Sequence, residues 1–580
     1  MTSARPRGPG RPAAPPLVAR TYTGRAMLSA LILQAASVTG CNGVMDRGPS
    51  GPSSPAREGE TSGSQPGTDK PSSASAFLCD RNAALDPGPS PLQRLTPTQY
   101  AAVAHDLFGA DLSLEGALPA EASASHIGLA QPDPSQVDIE HYSAAARRIA
   151  EHVETRVASF APCDASAVDA AAKSCARDFL QGFGSRIYRS PLDSGDVDKL
   201  LSIFEVGRAG AGYAHGIALM VEAMLQAPRF LYRPEVGDVS LATETAVPLT
   251  PYEIASRLSF AFWNRGPDEL LLAAAAEGAL NTPEGIAEQA RRLTADPRSE
   301  QSFRDFLRVW FGLTDWDAVE KDTVAFPIWS EQTRAQLNAQ SEDFFDAVLF
   351  SGEGTLDSLF SLDAADVATE EMTAWQAQGE GSAKGLLSLP ALLSRHSKPT
   401  ETFPIYRGLF VREQLLCQSL PPPPSDVGEP PAPAQGVSTR DRFEQHSSDP
   451  ACRGCHTMID PLGFAFENYD AIGRFRTSDE GHAIDASGAL VGTDVDGTFT
   501  NLAELSSMLA QSETVRACTA RQWFRFIMQR FEQPADGCSM QSLSKDFATS
   551  GHRFTALRTA IVQTPAFRMR RPIALEGDTP

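Results

Sequence analysis

The sequence predicts a mainly α protein, several helical-bundle modules followed by a C-terminal module that carries a small β-hairpin. Between positions 78 and 410 the apolar residues recur at helical rather than strand spacing. One helix-start device occurs twice, in "LTPTQYAAVAHDLFG" and in "LTPYEIASRLSFAFWN". At 580 residues the chain exceeds one ordinary core, and about 150 residues per domain implies three or four packed units.

Residues 1–40 read as a lipoprotein signal. They hold Arg5, Arg7, Arg11, Arg20 and Arg25 and no acid, followed by the apolar run "MLSALILQAASV" from Met27 to Val38. That run is too short to span a bilayer and has the proportions of a signal-peptide core. The small residues "VTG" lead into Cys41, which is expected to carry the lipid after cleavage; the alternative is an ordinary secretory signal with an incidental cysteine. Residues 41–77 are almost entirely Gly, Pro, Ser and charged side chains, a composition that cannot offset the entropy of ordering, and they read as a tether. The expected location is therefore the bacterial cell envelope, membrane-anchored and facing periplasm or exterior.

Three helical modules are expected next, at 78–160, 161–240 and 241–380. In the first, Thr96 is the N-cap, Pro97 the first helical residue and Gln99 the closing member of a capping box. Tyr100, Val103, Ala104, Leu107 and Phe108 then form one stripe, which Gly109 ends. Thr250, Pro251 and Glu253 repeat the device ahead of Ile254, Leu258, Ala261 and Phe262. Further helices are predicted over about 165–182, 194–206, 214–226, 286–294, 300–311, 331–350 and 405–417. The run "LPPPPSDVGEPPAPAQG", Leu420 to Gly436, cannot be helix or central strand and reads as an extended connector. "GRFRTSDEGHAIDASGALVG" supplies the β-hairpin, and helix returns from "AELSSMLAQSETV" onward.

The module at 381–485 carries the chemistry, and 486–580 forms a last helical module. In "DPACRGCHTMIDPLGFAFENYD" two cysteines stand two residues apart and a histidine follows at once: Cys452, Cys455, His456. Two intervening residues place both sulfurs on one side of a turn, the spacing for two thioether bonds to haem vinyl groups with the histidine as proximal iron ligand. Composition alone yields such a pentapeptide about two times in a thousand. A zinc site lacks a second close cysteine pair, and a redox dithiol lacks its strand–helix context; one covalently attached haem c fits best, with a plain disulfide as the other reading. Leu462, Phe464, Phe466 and Tyr469 are either a haem wall or ordinary core. His446 is the candidate for the second axial position, with His396, His482, Met508 and Met528 as further residues within reach; Met458 lies too close to the proximal ligand to cross the porphyrin. "GTDVDGTFTN" lacks the first and twelfth ligands of a calcium loop, and no Gly-x-Ser-x-Gly elbow occurs.

Fifty Lys and Arg face 72 Asp and Glu, a net charge of −22 that becomes −27 once the five arginines of the signal are removed. Such a surface repels polyanions, so no nucleic-acid partner is expected, and a redox partner would be basic. With Cys41, Cys452 and Cys455 set aside, six of the nine cysteines remain, an even number for an oxidising compartment. Short loops favour Cys163 with Cys175 and Cys518 with Cys538, leaving Cys79 with Cys417, one of fifteen connectivities.

The phrases "RLTPTQYAAVAHDLFG", "SRIYRSPL", "MLQAPRFLYRPE", "LTPYEIASRLSFAFWN", "SKPTETFPIYRGLFVREQLLCQSLPPPP" and "RFEQHSSDPACRGCHTMIDPLGFAFENYDAIGRFR" run in order across roughly Cys79 to Phe567. In them the chain resembles the large planctomycete-type cytochrome c proteins, also abundant in myxobacteria, built from modules of unknown function. The resemblance implies a haem-binding surface or periplasmic protein with Cys452, Cys455 and His456 as attachment residues; it implies no reaction. The function expected is mono-haem electron transfer, with a peroxidase-like enzyme or a polymer-binding scaffold as alternatives.

Overall fold

The computed structural model describes residues 79–80, 84–109, 111–119, 133–161, 170–363, 384–421, 430–448 and 450–573. The signal, the tether, Cys41 and Cys163 lie outside them. Helix follows helix, and the strands form four two-stranded antiparallel ladders among the described residues. None of the described helices is long and apolar enough to cross a membrane.

Helix α1 (Pro97–Phe108) starts as its sequence dictates: Thr96 accepts from the Gln99 amide, Gln99 returns the bond to the Thr96 amide, and Pro97 occupies the first turn. Tyr100, Val103, Ala104 and Phe108 are buried, Leu107 is half-buried, and Gly109 ends the helix at φ +108°. α2 (Gln136–Thr155) is not among the predicted helices. Half of its buried stripe is alanine (Ala145, Ala146 and Ala150 with Tyr142, Ile149 and Val153), so charged neighbours such as Arg147, Arg148 and Glu151 mask the periodicity. α3 (Ser194–Ala211) and α4 (Tyr213–Gln226) fold back on each other through Gly212 at φ +91°, and α4 also packs on α2. These helices enclose a first core.

α5 (Pro251–Trp263), with the predicted Thr250–Glu253 box, joins that core to a second. Phe260 packs in the first, while Ile254, Leu258 and Phe262 pack in the second. The second core takes in α6 (Pro283–Ala295), α7 (Arg298–Trp310) and α8 (Glu331–Asp346) and runs on through the rest of the chain. The predicted helices ending near 182, 350 and 417 each widen at their C-terminal part into a π turn: Leu180–Gly184 after Ala170–Phe179, Ala347–Ser351 after α8, and Phe410–Leu415 after α9 (Pro404–Leu409). The hydrophobic period does not separate 3.6 from slightly more residues per turn.

Beyond α9 the described parts of the connector, 420–421 and 430–436, are non-helical, and 422–429 lies outside the described residues. α10 (Thr439–Ser447) and α11 (Pro450–Phe464) follow. Two ladders stand where one hairpin is expected: Ser478–Asp479 pairs with His482–Ala483, and Gly488–Leu490 with Gly497–Phe499. Burial of Leu490 and Phe499 in the second core favours the additional pair. α12 (Glu513–Met528), α13 (Gly537–Thr549) and α14 (Phe554–Ala560) follow, and one more helical turn, Pro565–Arg568, comes after them.

The end of the chain returns to its beginning and its middle. Met569–Arg570 pairs with Val247–Pro248, the Arg571 side chain meets Asp86 at 2.6 Å, and Arg257 of α5 donates to the carbonyls of Ala566 and Phe567. That closure corrects the predicted disulfides. The bonds are Cys79–Cys538 and Cys417–Cys518, in place of Cys518–Cys538 and Cys79–Cys417. A preference for short loops assumes local closure, whereas here tertiary packing brings residues 459 positions apart into contact. Cys175 is disulfide-bonded, and its expected partner Cys163 is outside the described residues.

α9 crosses α11 at backbone contact. A Cβ on Gly463 would lie 2.1 Å from the Pro404 carbonyl oxygen, and one on Gly408 2.2 Å from that of Ile459, while at Gly454 it would meet nothing within 4 Å. Gly463→Ala is therefore expected to lower stability by about 1–3 kcal/mol or more, and Gly454→Ala to leave it unchanged or slightly raised, as read from guanidinium denaturation midpoints.

Candidate functional site

Helix geometry gathers the site. On α11, Cys452, His456 and Asp460 fall at i, i+4 and i+8 and so share one face, with Cys455 one turn from Cys452. Both cysteines are half-buried free thiols. The His456 side chain is 13% exposed and that of Asp460 5%. His456 Nδ1 stands 2.9 Å from Asp460 Oδ1 and 3.0 Å from Oδ2. An ionised carboxylate only accepts, so Nδ1 is the donating nitrogen, and in the neutral imidazole this tautomer leaves the lone pair on Nε2. Burial raises the Asp460 carboxyl above its ordinary range, and the bond to His456 with the charges of His456 and His446 pulls it back.

Of the predicted residues around the motif, the structure brings one to it. His446, near the end of α10, has its ring centroid 5.0 Å from that of His456, the two rings at 75°. His396 is instead packed on Phe410 at 4.7 Å, and burial, reinforced by the Arg395 charge, lowers its pKa to about 3. His482 bonds the Gly436 carbonyl, Met528 is buried in the second core, and Met508 packs against that core. Leu462, Phe466 and Tyr469 belong to the second core and Phe464 to a small cluster with Phe403 and Phe443, so all four are core residues. The aspartates of "GTDVDGTFTN" have local tasks: Asp496 accepts from the Gly492 and Thr493 amides, and Asp494 accepts from Ser512, Thr514 and the Glu513 amide at the start of α12. Among the described residues no three or more His, Cys, Asp or Glu are grouped to hold a bare metal ion.

Two buried arginines hold α11 in place, and residue-by-residue reading misses both. Arg407 of α9, 1% exposed, donates to the carbonyls of Phe466, Tyr469 and Asp470 at 2.9 Å and to Ser397 Oγ at 3.0 Å, gathering the chain that leaves α11. Arg412 donates to the Met458 carbonyl at 3.0 Å, close to Pro461, which supplies no amide to the helix ladder, and to Val491 O at 2.7 Å. Asp460 is also missed, although its place four residues after His456 on one helix is visible in the sequence.

Five family models match the chain in order, each described as a protein of unknown function: DUF1587 over 93–154, DUF1595 over 175–235, DUF1592 over 249–374, DUF1588, also named PSCyt3, over 383–479, and DUF1585 over 496–567. Together the five matches show a chain assembled from several modules of unknown function. No curated protein and no solved structure matches it. Cys452, Cys455, His456, Asp460, His446 and both arginines all lie within the PSCyt3 match.

Loss of the Arg407 fork would orphan three buried carbonyls, each at about 1–3 kcal/mol. Arg407→Leu is expected to destabilise the protein by at least about 3 kcal/mol, with Arg407→Lys recovering only part because an ammonium lacks the planar fork; denaturant unfolding followed by tryptophan fluorescence measures both.

Proposed function

We propose that Cys452, Cys455 and His456 hold one covalently attached haem c, and that the protein is a lipid-anchored electron-transfer protein of the bacterial cell envelope. One observation carries the reading. Of the cysteines among the described residues, Cys79, Cys175, Cys417, Cys518 and Cys538 are in disulfides, while Cys452 and Cys455, two residues apart and ahead of a histidine, keep free thiols. In a chain otherwise oxidised, that pair is reserved for another bond.

The residues present fit the group. Both thiols are partly exposed, the space beside Gly454 between them is open, and the engaged Nδ1 of His456 leaves Nε2 as the nitrogen for iron. A haem bound there supplies one-electron exchange between ferric and ferrous iron. The chain's own contribution is attachment by two thiols, a ring held in one tautomer by Asp460, and a helix held rigid by Arg407 and Arg412. The name of the PSCyt3 module agrees with a cytochrome-like role. The acidic chain suits a basic partner, and Cys41 with the Gly/Pro/Ser-rich segment behind it suits a tethered lipoprotein.

The double variant Cys452→Ala/Cys455→Ala, made in an exporting host, is expected to lose haem staining after denaturing electrophoresis, while Cys518→Ala keeps it; equal staining in the double variant would sink the haem assignment. Cys41→Ser is expected to abolish incorporation of labelled fatty acid and to release the protein from the membrane fraction, and labelling that persists would refute lipidation at that residue.

A further inference from the structure

The buried carboxylates of this protein differ in what neutralises them. Four acidic side chains are buried among the described residues: Asp460, Glu467, Glu532 and Asp536. Glu467 is paired with Arg476 and Arg407, Glu532 with Arg521 and Arg525, and Asp536 with Arg530. Among the described residues Asp460 has no arginine or lysine bridge; its partner is His456, whose Nδ1 stands within hydrogen-bond distance of both carboxylate oxygens. An acid present only to support packing would be served by the arginine pairing used at the other three positions. A buried carboxylate on an imidazole Nδ1–H does something an arginine-paired one cannot: it fixes the tautomer and makes the opposite nitrogen a more basic donor, the more so in a low-dielectric setting.

We propose that Asp460 is a positioning residue of the haem centre, holding His456 with Nε2 presented to iron and making that nitrogen electron-rich, so that the oxidised iron is favoured and the reduction potential is kept low. The inference rests on the haem reading above. It acts through His456, and the Arg407 and Arg412 contacts that hold α11 limit how far the pair can drift.

The test compares full-length, haem-loaded wild type with Asp460→Asn and Asp460→Glu, using haem stoichiometry by pyridine haemochrome and midpoint potential by spectroelectrochemical titration. Asp460→Asn keeps the shape and removes the charge, so it is expected to hold haem at wild-type stoichiometry with a higher midpoint potential. Asp460→Glu is expected to fall between that variant and wild type. Asp460→Glu keeps the charge but moves it by one methylene, so it decides the matter if Asp460→Asn fails to fold or to load, with a midpoint potential expected above wild type. An unchanged or lowered potential in fully loaded Asp460→Asn, or in Asp460→Glu when it must decide, overturns the role of Asp460 and leaves the haem assignment standing. Wild type without covalent haem overturns both.

Discussion

The crossing of α9 over α11 is the contact on which the candidate site depends. Two glycines, Gly408 and Gly463, remove the side chains that would hold the helices apart, and the backbones approach to a separation that no Cβ could share. At that distance Arg407 reaches past α11 to three carbonyls of the following turn, and Arg412 reaches the carbonyl of Met458. A helix with an internal proline would otherwise have a weak point next to its functional face. The arginines convert it into a fixed rod, which carries Cys452, His456 and Asp460 on one side.

Burying guanidinium groups against backbone carbonyls recurs through the molecule. Arg257 ties α5 to Ala566 and Phe567, Arg189 takes the carbonyls of Arg229, Phe230 and Tyr232, and Arg558 takes that of Ser299. Burial lowers the pKa of Arg189 to about 9 and of Arg407 and Arg558 to about 10, which leaves each charged near neutral pH. Arg257 and Arg189 each satisfy several backbone acceptors at the ends of helices, where the helix ladder supplies no partner. Modules matched separately by five family models thereby share two continuous cores, bridged by α5.

The Cys79–Cys538 bond and the strand pair joining residues 247–248 to 569–570 close the chain on itself. Closing so long a loop gives the largest entropic effect on the unfolded chain, although the free energy rises only slowly with loop length. The candidate site lies in a part of this closed body whose neighbouring turn is also fastened, by Cys417–Cys518, to α12.

Local chemistry was legible without a structure. Thr96 with Gln99 and Thr250 with Glu253 start their helices as their side chains require, because a capping box is satisfied within four residues. The mainly α character, the hairpin near residue 480 and the cluster Cys452, Cys455, His456 needed only spacing along the chain. α2 escaped because alanine buries area while contributing little hydropathic contrast. The tertiary structure alone decided the disulfide partners, the placing of His446 beside His456, and the destinations of Arg407 and Arg412, since each depends on which distant segments the packed cores bring within bonding distance. Asp460 stands between the two cases: its spacing from His456 is written in the sequence, but only burial without an arginine distinguishes it from an ordinary helix-surface acid.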